Sequence, residues 1–186
     1  MPAQRSSRAT EKIQDAAWEI FMERGLPGVS IEEIAGRAGV AKTTVYRWWP
    51  NKSAVLMDAL SRRLAPKVVF EAAGSAREDV MRQIELVIEL FNNPVGRGYL
   101  SLIAESTHDA ELADALRERY IAGRREAAVE RLRRGVEQGE LPAETDLEML
   151  VDSLYGALYY NALVAHAPLD KAYAARLIKT MWPTVQ

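Results

Sequence analysis

The 186-residue chain contains no cysteine. Disulfides, thiolate metal sites and cysteine nucleophiles are therefore excluded. It has only two histidines, His108 and His166, and these are not paired with each other at a metal-binding helical spacing. Both are expected to be surface or packing side chains, with no metal and no cofactor. No stretch approaches the roughly 18 uninterrupted apolar residues of a membrane span. The opening Met-Pro-Ala-Gln-Arg-Ser-Ser-Arg lacks the apolar core of a signal peptide, so a cytoplasmic protein is expected. A glycine-rich phosphate loop is also missing, and no acid, base and nucleophile groups converge in the pattern, which argues against an enzyme.

What remains is ordinary for a globular protein: 48% apolar and 27% charged residues, with a formal net charge of -2. That small charge hides an asymmetry. Residues 1–67 hold 11 Lys and Arg against 7 Asp and Glu, whereas residues 68–186 hold 13 against 19. A basic amino-terminal part on an acidic body suits a nucleic-acid module attached to a body that DNA repels.

The densest signal runs from Ser30 to Lys52, S-I-E-E-I-A-G-R-A-G-V-A-K-T-T-V-Y-R-W-W-P-N-K. Ser30 and Glu33 have the spacing of a reciprocal capping box. Ile31, Ile34, Ala35 and Ala38 then repeat at helical spacing, and Gly39 is a natural stop. A second short helix is expected from Ala41 to Trp49, with Val45 as its single inward anchor. Lys42, Thr43, Thr44, Tyr46, Arg47, Trp48 and Trp49 would then face out. Such a surface can meet phosphates and base edges in a major groove: Lys and Arg pair with guanine or phosphate, Thr offers a hydroxyl or methyl, and aromatics donate to the backbone. Two capped helices about a glycine turn also occur in helical proteins that bind no DNA.

This stretch resembles the DNA-binding segment of the TetR family of bacterial transcriptional regulators, A-x-x-A-G-V-x-x-x-T-[aliphatic]-Y-x-x-[aromatic]-x-[NS]-K. Ala35, Ala38, Gly39, Val40, Thr44, Val45, Tyr46, Trp49, Asn51 and Lys52 stand in register with it. Ala41 replaces the Ser that commonly caps the family's recognition helix, a loss typically costing about 1 kcal/mol. Trp49 stands in place of the more usual Phe, and Ser53 in place of an acidic residue. The resemblance implies DNA contacts from Ser30, Lys42, Thr43, Thr44, Tyr46, Arg47, Trp48 and Lys52.

Along the chain, residues 1–9 read as a flexible basic arm in which Arg5 and Arg8 either enter a minor groove or belong to an inert tail. Residues 10–50 form the helix-turn-helix domain. Its support helix carries Ile13, Ala16, Ala17, Ile20 and Phe21 on one face and ends near Gly25. Residues 51–66 form a linking helix with a stripe of Val55, Leu56, Ala59, Leu60 and Leu64, and Lys52 in its first turn can meet a phosphate. Pro66 is read as the domain boundary and residues 71–76 as a soft connection. Residues 67–186 form a helical body. A helix bearing Ile84, Val87, Ile88 and Phe91 is broken by Asn93-Pro94 and Gly96, and a short one spans 99–107. A long one, capped by Asp109, reaches Gly139. Its arginines, including Arg117, Arg119, Arg124, Arg125 and Arg131, alternate with glutamates and read as a solvated ion-paired face. Thr145 and Glu148 suggest another capping box.

The helix after Thr145 turns apolar nearly all round from Tyr155 to Val164, and a last helix spans about 169–181. Such helices need cover on both sides, which a second subunit would supply. Leu158, Tyr159, Leu163, Leu177, Ile178 and Met181 are the expected homodimer interface. Met57, Leu60, Ile84, Ile88, Phe91, Ile103, Tyr120 and Tyr155 read either as the lining of an apolar effector cavity or as plain core.

The expectation is an all-α, nine-helix, two-domain regulator with an N-terminal three-helix DNA-binding module and a C-terminal ligand-binding and dimerisation domain. The resemblance implies a homodimer, acting as a repressor, that binds a near-palindromic double-stranded operator as one dimer or two. It also implies release by a small-molecule effector, partly apolar. The alternative is a helical protein-interaction module without DNA binding.

Overall fold

The computed structural model describes the backbone of residues 2–64 and 74–183, and side chains within them from Arg8 onward. Pro66 and residues 71–73 of the 71–76 connection lie outside the described residues, as does the Arg5 side chain. No strand occurs among the described residues. The helices are α1 Pro2–Arg24, α2 Ile31–Ala38, α3 Lys42–Tyr46, α4 Lys52–Leu64, α5 Ala76–Phe91, α6 Pro94–Ser106, α7 Ala110–Leu116, α8 Ala122–Glu137, α9 Leu147–Tyr160 and α10 Lys171–Met181. A π turn, Arg117–Ile121, joins α7 to α8 without a loop. Counting that rod once gives nine helices among the described residues, the number expected.

The described chain divides into two units, residues 1–64 with 101–120 and residues 65–100 with 121–186. A boundary drawn in chain order could not express this, because the end of α6 and all of α7 group with the first four helices. The chain passes from the first unit to the second for the last time inside the π turn.

In the first unit α1 packs on α2 and α4, α2 on α3, and α4 on α7. The expected apolar faces are all in its core: Ile13, Ala16, Ala17, Ile20 and Phe21 from α1, Ile31, Ile34 and Ala35 from α2, and Val55, Leu56, Ala59, Leu60 and Leu64 from α4. Trp18 is buried as well, with the Arg63 guanidinium 5.2 Å above its ring. The α1 helix begins at Pro2 rather than Thr10, so the stretch read as an irregular arm continues the support helix.

In the second unit α5 packs on α8 and α10, and α9 on α8 and α10. Ser75 opens α5 with a full capping box to Glu78. Gly96 does not break a helix. It lies inside α6, where a Cβ would sit 1.8 Å from the Leu90 carbonyl oxygen, so only glycine allows α6 to start this close to the end of α5. The α9 cap is Asp146, whose Oδ1 accepts the Met149 amide at 3.0 Å. Thr145, one residue earlier, donates to the Pro142 carbonyl instead.

Arg131 departs from the solvated face expected of α8. Its side chain is buried against the fully buried Asp79 carboxylate, with Nε donating to Oδ2 at 2.6 Å and Nη2 to the Gly74 carbonyl at 2.9 Å. Arg117, Arg119, Arg125, Arg133 and Arg134 of that run do form solvent-accessible ion pairs, as Arg125 does with Glu148 and Asp152 at 2.9 Å each, whereas Arg124 is half-buried.

Candidate nucleic-acid interface

The Ser30 hydroxyl accepts the Glu33 amide at 3.1 Å and fixes the start of α2. The reciprocal bond expected of Glu33 is replaced by a contact of its carboxylate with Arg24 at 3.6 Å. Gly39 ends α2 in the left-handed conformation, φ 68°, where a side chain would be strained. A forked pair from Arg37 to Glu23, at 2.7 and 2.8 Å, holds α2 against α1 and keeps the Glu23 carboxyl below its usual range.

After the three-residue turn Gly39 to Ala41, α3 spans Lys42–Tyr46, three residues short of the expected end at Trp49. Ala41 occupies the cap with φ −72° and ψ 147° and supplies no side-chain acceptor. Val45 is fully buried, whereas Tyr46 and Trp48 are 53% and 58% exposed. Lys42, Thr43 and Arg47 are exposed beside them and Thr44 is half-buried. This gathers six of the expected contacts on α3 and the two residues that follow it.

Four other expected contacts need correction or sharpening. The Ser30 side chain is half-buried and committed to its cap. Lys52 opens α4 half-buried, and its Nζ donates to the Leu26 carbonyl at 3.3 Å, so part of its donor capacity is spent internally. Arg8 is exposed on α1, and Arg5 falls among the undescribed side chains. Lys42, for its part, is ion-paired with Glu32 across the α2–α3 corner, which lowers the Glu32 pKa.

Trp49 does not face out. It is 2% exposed, and its Nε1 donates to Asp58 Oδ2 on α4 at 2.7 Å. Arg119 Nη1 donates to the other oxygen of the same carboxylate at 2.8 Å. Asn51 caps α4 through Oδ1, which accepts the Ala54 amide at 2.9 Å, while its Nδ2 donates to Glu111 at 2.8 Å. The sequence reading missed these positioning groups. Only the Val45–Trp49 spacing of four, which puts both residues on one face, hinted at them.

Helix-turn-helix geometry of this kind occurs in many regulators, and the whole chain decides which it is. The family model described as bacterial regulatory proteins, tetR family, matches residues 13–59, and the one described as tetracyclin repressor-like, C-terminal domain, matches residues 70–181. The chain belongs to the TetR family. As a TetR-family protein it is a helix-turn-helix transcriptional regulator and not an enzyme. It is 30% identical over 174 residues to the uncharacterised HTH-type transcriptional regulator YdeS of Bacillus subtilis, covering 94% of this chain and 88% of that one. It is 28% identical over 165 residues to the DNA-binding transcriptional repressor TetR of Mycobacteroides abscessus, covering 87% and 85% of the two chains. The crystal structure of the TetR family transcription regulator SCO0332 superposes with a TM-score of 0.77 at 33% identity, over 92% of this chain and 95% of that one.

The tetracyclin repressor-like domain carries the expected homodimer interface. Leu158 and Ile178 are fully buried and Leu177 nearly so. They belong to the core of the protomer and cannot also face a second subunit. Tyr159 and Leu163 are half-buried, and Met181 is exposed. The outward stripe of α9 and the π turn that extends it is instead Met149, Gly156, Tyr160 and Val164, of which the three side chains are 60%, 59% and 64% exposed. A Cβ at Gly156 would meet nothing within 4 Å.

The eight expected pocket residues fall four in each unit. Met57, Leu60 and Tyr120 are core of the DNA-binding unit, and Ile103 is half-buried there; in the body Ile84, Ile88 and Phe91 are core and Tyr155 is half-buried. The Phe91 ring lies 5.3 Å from that of Tyr159, whose hydroxyl shares a 2.7 Å hydrogen bond with that of Tyr99. Burial pushes the Tyr155 and Tyr159 phenols up. A surface concavity of about 740 Å³ lies elsewhere, along α8 from Ala122 to Arg133, and is lined largely by charged side chains. Among the described residues no helix is long and apolar enough to cross a membrane, and no cluster of His, Cys, Asp or Glu could hold a metal.

Proposed function

We propose that the protein is a cytoplasmic repressor that binds a near-palindromic operator as a homodimer and is released by a small-molecule effector. The observation that carries the DNA reading is α3 with the turn that follows it, which buries Val45 and offers Lys42, Thr43, Tyr46, Arg47 and Trp48 to solvent. Two such helices, related by a twofold axis, would enter successive major grooves about one helical turn apart. The M. abscessus relative is described as a repressor, and that supports the sign of regulation.

The outward stripe of α9 supports the homodimer. Met149, Gly156, Tyr160 and Val164 recur at helix-pairing spacing, and the bare surface at Gly156 lets a second helix approach closely. This replaces the interface expected from the sequence. The effector contacts are proposed within the body, at Ile84, Ile88, Phe91 and Tyr155. These side chains suit a ligand that is partly apolar or aromatic.

Selecting DNA from a random pool with the purified chain tests the central point. The expected outcome is a two-half-site motif whose affinity falls steeply with salt, and which Tyr46→Ala and Arg47→Ala weaken without lowering the melting temperature. A helical interaction module would enrich no sequence, and that result would overturn the operator reading.

A further inference from the structure

The Asp58 carboxylate is shared. One oxygen accepts the Trp49 indole at 2.7 Å and the other accepts the Arg119 guanidinium at 2.8 Å. Trp49 follows the recognition helix closely, and its backbone amide bonds the carbonyl of Val45, that helix's buried anchor, at 3.0 Å. The exposed Arg47 and Trp48 lie between these two fixed points. Anything that displaces Trp49 therefore re-aims the end of the surface offered to DNA.

At the other end of the chain of contacts, Arg119 sits in the π turn Arg117–Ile121, where the chain makes its last passage from the DNA-binding unit to the body. Turns bonded from residue i to i+5 are rare and recur at functional positions. Moving one residue into or out of such a turn swings the side chains on one side of it by about 100°, the angle per residue of a helix. A register change here would carry Arg119 off Asp58. The preceding helix, α7, also holds α4 through the Asn51–Glu111 bond at 2.8 Å, so the reach of Arg119 is measured from a fixed base. The Arg119–Asp58 pair is half-open to solvent, and pairs of that kind add little to stability. Its effect is directional: it holds the carboxylate where the buried indole needs an acceptor.

We propose that Asp58 is a positioning residue for the recognition helix, and that Arg119, by sharing its carboxylate with Trp49, lets the state of the π turn set operator affinity. The inference rests on the operator reading above. It adds a route by which the body reaches the DNA surface through residues that touch no DNA.

The test uses the full chain with Arg119→Ala, Asp58→Asn and Trp49→Phe, assayed on the DNA selected by the parent and on random-sequence DNA. Losing one such hydrogen bond corresponds to about tenfold weaker binding of the selected DNA for each variant. Random DNA binding is expected to change little, as is the melting temperature of Arg119→Ala, and Arg119→Lys to recover most of the loss. The double variant Arg119→Ala/Trp49→Phe is expected to lose no more than the weaker-binding single variant, because both act through one carboxylate.

Additive losses would overturn the proposal. So would an Arg119→Ala variant that weakens both DNAs alike while Asp58→Asn leaves binding unchanged, since Arg119 would then be a plain phosphate contact. Independently of DNA, the Trp49 indole N–H resonance, identified by its loss in Trp49→Phe, is expected to shift in Arg119→Ala. An unmoved resonance would break the link. A parent chain that selects no DNA would overturn the operator reading instead, and the resonance would still test the coupling.

Discussion

Two consecutive tryptophans meet opposite fates. Trp48 is exposed beside Arg47, while Trp49 is buried with its indole nitrogen on Asp58. In a run of cationic and aromatic residues the sequence does not separate them by type, because both roles use the same ring. The separation is geometric, since Trp49 shares a face with Val45. Arg131 poses the same problem in reverse. It sits in an arginine-rich run that is otherwise solvated, and its buried partner Asp79 is 52 residues away in the chain. Arg131→Met leaves the buried Asp79 carboxylate with only the Arg82 guanidinium and the Gly74 amide, the latter at 3.1 Å, so it is expected to cost about 1–3 kcal/mol in denaturant unfolding.

At the scale of the element, the apolar faces of α1, α2, α4 and α5 were legible because their period is strict and their cores are aliphatic. Ends were less legible. Spacing suggested two capping boxes, yet Ser30 makes half of one and Asp146 replaces Thr145, while Ser75 completes a box in a stretch read as a soft connection. Small polar residues compete for each cap, and the winner depends on where tertiary packing starts the helix. Gly96 looked like a breaker for a similar reason, since glycine marks both stops and close approaches. With a Cβ placed 1.8 Å from the Leu90 oxygen, Gly96→Ala must push α6 away from α5. Thermal unfolding should show a loss of about 1–3 kcal/mol, the usual cost of overpacking. Gly156→Ala, where the added methyl meets open space within the protomer, should spare the fold and instead weaken the proposed dimer.

For the whole molecule, the family was legible from one short stretch, while the surfaces of the body were not. An apolar helix announces that it needs cover, but the sequence does not say which of its faces the protomer itself covers. The structure assigns Leu158 and Ile178 to the protomer core, and leaves Met149, Tyr160 and Val164 outside it. Met149→Lys together with Val164→Glu is therefore expected to give a folded monomer by sedimentation, with helical content unchanged. Leu158→Glu is expected to unfold the body instead, since it buries a charge without a partner. A folded dimer surviving the first pair would move the interface elsewhere.

The ion pair between Lys42 and Glu32 has a consequence for how such a protein moves through a chromosome. Away from DNA the exposed Lys42 ammonium already has an anion, Glu32, tethered to the neighbouring helix. Every phosphate must compete with it, at every site, whatever the base sequence. A competitor of that kind weakens all encounters by the same factor and leaves discrimination between sequences untouched. It shortens the time spent on each wrong site, so that more sites are sampled per unit time.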